Sequence, residues 1–327
     1  MFSLDLDLRS HTISTTTSSS IGPEGESDDN PIRLQGDSAE EFRALLWALY
    51  ALPHELMVAL TPHANPLQLF HLSRITHKYQ FRSIETWALN ALTACYTRSL
   101  SSSFDSQNPS LAQITELAAL CEQKELLDAC ITRWKRLLGE GKDVSLAIDV
   151  SEKLGLRGLM GLAYHSMLLK GQEVWEQDDM LSREQRIRLL SGHYKLGKLW
   201  ERLPNEPPVL NHSTWCTGKF SFLLPHSSCI LTILGGATIR CAQSWTLLWK
   251  SILDIGHQVP LQIQYADVPG KLILAESVIK ALVEGGIPSH GMLDGMSVWC
   301  KENAVSVTKE RVRSVKEGLA DFFEDVK

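Results

Sequence analysis

The sequence predicts a mainly α-helical protein that retains one short strand and continues as a run of antiparallel helices. Two kinds of signal predict it. Serine-led capping boxes and an Asn-Pro pair mark helix starts. Between them, apolar residues recur three and four apart, the spacing of one buried helix face. The stretches joining these segments are short and carry glycine or proline, which makes successive helices antiparallel neighbours.

Residues 11–30 are Ser/Thr runs followed by Gly, Pro and acids. Such composition cannot bury apolar surface and reads as a flexible segment covering residues 1–29. Pro31-Ile32-Arg33-Leu34 alternates apolar and polar residues, as a short strand does. Ser38 and Glu41 then form a capping box. The helix it opens is expected to turn Phe42, Leu45, Leu46, Leu49 and Tyr50 inward, and Pro53 limits it. Asn65 caps the next helix and Pro66 takes its first position, with Leu69, Leu72 and Ile75 facing in. A helix from Ser83 places Ile84, Trp87, Ala88, Ala91, Leu92 and Cys95 inward. Residues 99–108 are polar and mark a boundary, so residues 30–103 form the first folded unit.

Residues 104–204 read as a helical extension. Ser110 caps a helix with Leu111, Ile114, Leu117, Ala118 and Cys121 on one stripe. Leu127, Cys130, Trp134, Leu137 and Leu138 form the following stripe, ended by Gly139 and Gly141 in left-handed positions. Val144, Ala147 and Ile148 belong to a third helix stopped at Gly155. Leu156, Leu159, Met160, Ala163 and Met167 belong to a fourth stopped near Gly171. Gly155, Gly158 and Gly161 are spaced by three, which points to close helix packing. Ser182 and Gln185 make a second capping box and start a long helix with Ile187, Leu190, Tyr194 and Leu199. Pro207-Pro208 lies beyond its end.

Residues 205–327 are expected to be mainly helical, around an apolar loop at 217–240. Residues 220–239 contain no Asp, Glu, Lys or Arg. Pro225, Gly235-Gly236 and the lack of a one-sided basic flank argue against a membrane span. The stretch reads as a buried hairpin or core helix, or as translated intron, which Gly218-Lys219-Phe220 is able to encode. Two helices follow, with Leu272, Ala275, Val278, Ile279 and Leu282 on one stripe and Val312, Val315, Leu319, Phe322 and Val326 on the other.

Composition narrows the function classes. With 32 Lys+Arg against 38 Asp+Glu, the 327-residue chain carries a net charge of −6. That balance argues against nucleic acid and anionic membranes as partners. Seven cysteines form no Cys-x-x-Cys pair, and residues 1–9 carry Asp5 and Asp7 but no basic leader. Reduced thiols in a cytoplasmic or nuclear protein are expected.

The chain has no phosphate-binding Gly-rich loop, dinucleotide fingerprint, nucleophile elbow or His-Glu-x-x-His zinc motif. His212, Cys216, His226 and Cys229 supply four nitrogen and sulfur donors, but their spacing fits no common zinc module. His54, His63, His71 and His77 have no nucleophile at a recognisable local spacing and read as structural histidines. Arg133, Lys135 and Arg136 around Trp134 read as the solvated side of a helix. No cofactor, no metal and no catalytic residue is expected.

One set of residues points to a family. Asn30-Pro31-Ile32-Arg33-Leu34, Phe42-Arg43-Ala44-Leu45-Leu46-Trp47-Ala48-Leu49-Tyr50-Ala51, residues 75–81 (ITHKYQF) and Trp87-Ala88 resemble the second half of a BTB/POZ domain, in the divergent form of mushroom-forming fungi. Gln185-Arg186, Leu190, Ser191-Gly192-His193 and Leu199-Trp200-Glu201-Arg202-Leu203 are similar to the helical extension of those proteins, as is the spacing of Cys241, Trp245 and Trp249. The resemblance implies a truncated BTB/POZ-like α/β module with a short residual strand, followed by an antiparallel helical extension. It implies a non-enzymatic protein that recruits protein partners. The part before Asn30 resembles only the end of the domain's first portion, which carries the family's homodimer face, so homodimerisation is not carried over. A narrower implication is a substrate adaptor of a cullin-type ubiquitin ligase, with Leu56, Met57 and Leu60 of the 52–60 loop as partner contacts. A different class is a transcriptional regulator, although no zinc-finger array or basic helix is present.

Overall fold

The computed structural model describes residues 31–32, 35–61, 63–98, 109–211, 236–258, 266–288 and 293–324. Among them the regular structure is helical throughout. In chain order the helices are α1 (Ala39–Tyr50), α2 (Pro53–Val58), α3 (Pro66–Lys78), α4 (Arg82–Arg98), α5 (Leu111–Leu120), α6 (Lys124–Gly139) and α7 (Val144–Lys153). Then come α8 (Arg157–Leu169), α9 (Gln172–Gln177), α10 (Arg183–Arg202), α11 (Gly236–Gln258), α12 (Val268–Val283), α13 (Val298–Glu317) and α14 (Leu319–Phe323). Of the segment expected as a short strand, Pro31 and Ile32 belong to no regular element, and Arg33 and Leu34 lie outside the described residues. No helix among the described residues is long and apolar enough to cross a membrane.

The start signals work through local hydrogen bonds. The Glu41 amide donates to Ser38 Oγ at 3.2 Å, and the Ser38 amide donates back to Glu41 Oε2 at 2.9 Å. The same reciprocal pair forms between Ser110 and Gln113 and between Ser182 and Gln185. Asn65 Oδ1 accepts from the amides of Leu67 and Gln68, with Pro66 opening α3. Pro53 limits α1 as expected, but it also opens α2, so the stretch read as a loop at 52–60 is a short helix and a turn.

Several helix ends share one pattern. After α6 and α7, Gly141 and Gly155 take positive φ, 70° and 65°. The next amides, of Lys142 and Leu156, reach back to the carbonyls of Leu137 and Ser151. Gly139 is not left-handed; it is the last residue of α6. After α3 and α5 the left-handed position is held by Gln80 (φ 59°) and Glu122 (φ 53°), with Phe81 and Gln123 bonding back to Thr76 and Ala118.

Packing proceeds in steps along the chain. α1 and α4 both lie on α3 around Ala44, Leu45, Leu72, Ile75 and Ala88. The other side of α3 and α4 meets α5 and α6 around Leu69, Leu92, Ile114, Leu117, Leu126 and Cys130. A larger core then runs from Trp134 on α6 to Phe323 on α14. Two indoles tie α11 into it: Trp249 Nε1 donates to the Leu203 carbonyl and Trp245 Nε1 to that of Pro208, each at 2.7 Å. Cys241, Trp245 and Trp249, four residues apart, are all buried on that one face. α14 seats where two glycines leave room, Gly161 of α8 against Ala320 and Gly192 of α10 against the Phe323 ring. Gly158, by contrast, has open space beside it, so of the spaced glycines only Gly161 serves close packing.

Three inward faces differ from expectation. On α1 the buried residues are Glu41, Ala44 and Leu45, while Phe42, Leu46, Leu49 and Tyr50 are exposed. The helix is apolar on more than one side, and α3 supports only one of them. Glu41 tolerates burial because it caps Ser38 and pairs with Arg74 at 3.2 Å. On α10 the buried face is Gln185, Leu189, Gly192, Leu196, Leu199 and Trp200, and Ile187, Leu190 and Tyr194 point outward. On α6, Arg133 is buried with its guanidinium over the Tyr96 ring at 5.7 Å, whereas Lys135 and Arg136 are solvated.

Candidate functional site

α1 and α2 carry the most concentrated exposed apolar surface of the first helical layer. Phe42, Leu46 and Leu49 recur at i, i+4 and i+7, so they stand on one side of α1, with Tyr50 beside Leu46 one turn on. Their exposures are 40%, 39% and 54%, and 82% for Tyr50. The exposed apolar residues continue along the chain through Leu52, Met57, Val58 and Leu60. The opposite side of α1 is firmly seated: Trp47 meets Trp87 of α4 at 6.3 Å between ring centroids, and Leu45 is buried. The face is therefore rigidly backed.

α2 is placed by its own ends. The Leu52 amide donates to Glu55 Oε2 at 2.7 Å, and the Thr61 hydroxyl closes the following turn on the Val58 carbonyl at 2.8 Å. Ala59 is buried and anchors the turn. Of the three partner contacts expected from the sequence, Met57 and Leu60 are exposed and Leu56 is half-buried. A hollow of about 250 Å³ lies between α1, α2 and the start of α3, lined by Trp47, Val58, Ala59, Ala64 and Leu69 among others. A short run of large apolar side chains on a rigid backing suits contact with another apolar protein surface.

A second, polar site lies at the far ends of α3 and α5. His77 sits in the last turn of α3, Glu85 in the first turn of α4 and Cys121 at the end of α5. The tight turn at Gln80 brings His77 Nδ1 within 2.8 Å of Glu85 Oε1. Burial, with Glu85 beside it, pushes the Cys121 thiol up to about 12. One nitrogen, one oxygen and one sulfur donor thus lie within 4.8 Å of one another, each half-buried. They line a cleft of about 490 Å³ that also includes Gln80, Arg82, Thr86, Asn90, Glu122 and Gln123.

His77 is expected to be a structural histidine, and its bond to Glu85 is of that kind. No local pattern marks Cys121 as the third member, because 36 residues separate it from Glu85 and tertiary packing alone joins their turns. The four donors weighed from the sequence, His212, Cys216, His226 and Cys229, lie outside the described residues. Of the described cysteines, Cys121 is half-buried and Cys130 buried, and both are thiols outside any disulfide.

No protein-family model, curated protein or solved structure matches the chain.

Proposed function

We propose that this protein is a non-enzymatic protein-interaction protein, a BTB/POZ-like module followed by a helical extension, that recruits protein partners. The observation that carries the reading is the open apolar face of α1, Phe42, Leu46, Leu49 and Tyr50, continued in chain order by Met57 and Leu60 of the α2 region. Large apolar side chains grouped on a rigid helix are costly to leave in water and are a common ground for association. The resemblance at residues 30–95 supports the same class. The adaptor reading narrows it to a cullin-type scaffold as partner, with Met57 and Leu60 in contact.

A photo-crosslinking residue placed singly at Leu49, Tyr50 and Met57 of the full chain tests this in cell extract. The expected result is capture of the same protein from all three positions, none from the solvated Lys135, and loss of capture when Leu46→Asp is added with helicity unchanged. A cullin scaffold as the captured protein supports the adaptor, and chromatin proteins support a transcriptional regulator. Crosslinks confined to residues 1–30 of the same chain, or capture that survives Leu46→Asp, refute the reading.

A further inference from the structure

We propose that His77, Glu85 and Cys121 form a zinc-class metal site at the junction of the α3–α4 and α5–α6 turns. Imidazole, carboxylate and thiolate are the three side-chain types that zinc accepts, and here one of each converges. Their separation is right for small adjustments. With Zn–N near 2.0–2.1 Å, Zn–O near 2.0–2.2 Å and Zn–S near 2.3 Å, tetrahedral donors stand roughly 3.3–3.7 Å apart. The His77–Glu85 pair, at 2.8 Å, has to open slightly, and donors as far apart as 4.8 Å have to close by roughly 1 Å. Side-chain rotation supplies both without moving a helix.

The present hydrogen bond orients two of the donors. Glu85 accepts from His77 Nδ1, and the Cys121 sulfur stands within 4.8 Å of both, so the three face a common point. A metal takes the place of the donors' protons: the thiol proton leaves to solvent and a sulfur–metal bond forms, while His77 loses its Nδ1 proton to solvent and takes one on Nε2, which frees the Nδ1 lone pair for the metal. Three protein ligands leave the fourth tetrahedral position to water in the cleft or to a donor from another molecule. Such a site is open rather than closed, and it crosslinks two helical hairpins that already meet through apolar packing around Leu89, Leu92 and Leu117, the Gln123–Asn90 hydrogen bond and Arg133 over the Tyr96 ring. This site is independent of the apolar face on α1, so failure of one inference leaves the other standing.

Cobalt(II) is the probe, added to the full chain after chelator treatment, because cobalt–thiolate coordination gives a charge-transfer band and its visible bands report tetrahedral geometry. The expected result is one equivalent bound with a single thiolate, displaced by zinc. Cys121→Ser removes the charge-transfer band, and His77→Ala or Glu85→Gln weakens zinc binding by at least about tenfold, as loss of a ligand must exceed loss of a supporting contact. Each variant is checked for unchanged helicity and melting, and the double variant Cys216→Ser/Cys229→Ser keeps the band. No band in the wild type overturns the proposal. So does a band that survives Cys121→Ser, and so does a band lost in the Cys216/Cys229 variant, which places the metal on the other donors.

Discussion

Replacing Gly161 by alanine probes how the last helix is held to the body of the protein. A Cβ at 161 stands 2.5 Å from the Ala320 amide nitrogen and 3.0 Å from its Cα. The obstacle is backbone, so no side-chain rotation relieves it, and α14 has to retreat by roughly 1 Å to regain ordinary contact. That retreat disturbs Phe323, which is fully buried, stacks on Tyr164 at 5.1 Å and presses on Gly192. Overpacking of this kind costs about 1–3 kcal/mol. Complete undocking of the phenylalanine sets a ceiling of about 3–5 kcal/mol. Alanine regains up to about 1 kcal/mol of helix propensity, so the net loss against wild type is ~0–2 kcal/mol when that gain is complete, and the full ~1–3 kcal/mol shows only against a control that shares the gain. Gly158→Ala on the same helix is the matched control. Nothing lies within 4 Å of its Cβ, so only the propensity gain, up to about 1 kcal/mol, remains. Urea unfolding followed by circular dichroism measures both, compared at unchanged m-value. Gly161→Ala is expected ~1–3 kcal/mol below Gly158→Ala, and equal stabilities of the two variants refute the close seating of α14 on Gly161.

Three further outcomes follow from particular contacts. Leu45→Ala, at a site 6% exposed, lowers unfolding free energy by about 2–5 kcal/mol, whereas Leu46→Ala, at 39% exposed, costs under about 1 kcal/mol; equal losses in urea unfolding contradict the seating of α1. Trp249→Phe removes the indole donor from the Leu203 carbonyl, which keeps the Glu206 amide, and costs about 0.5–1.5 kcal/mol for that bond by the same measurement; a neutral substitution shows that the indole bond adds nothing beyond the amide. Burial raises the Asp267 carboxyl, but His165, the Gly270 amide and Lys271 together hold it below its ordinary 3.8. A depressed folded-state value means that its contribution is complete above 3.8 and is lost as pH falls through the lower folded value. Asp267→Asn therefore narrows its melting-temperature gap to wild type as pH drops from about 5 to about 3, and a gap that widens refutes the assignment.

The candidate surfaces were only partly legible beforehand. Met57 and Leu60 are exposed where the sequence reading put partner contacts, but in a helix and turn rather than a loop, because Pro53 both ends α1 and opens α2. The larger part of the apolar face, Phe42, Leu46, Leu49 and Tyr50, was read as core. The His77–Glu85–Cys121 cluster left only a faint trace, a histidine and a glutamate eight residues apart across a helix turn.

What the sequence by itself determined was where helices begin and end. Ser38, Asn65, Ser110 and Ser182 act on amides two or three residues away, and Gly141 and Gly155 relax strain at their own φ, so no distant contact is needed. Tertiary structure decided which side of each helix is covered. α1 and α10 are apolar on adjoining sides, and helical spacing ranks those sides no further than hydrophobicity does. α3 lies on the Ala44–Leu45 side of α1, and α8 and α14 lie on the Leu189–Gly192–Leu196 side of α10. The rest stays in water because a helix buries only as much surface as its neighbours cover, and the number of neighbours is a property of the whole chain.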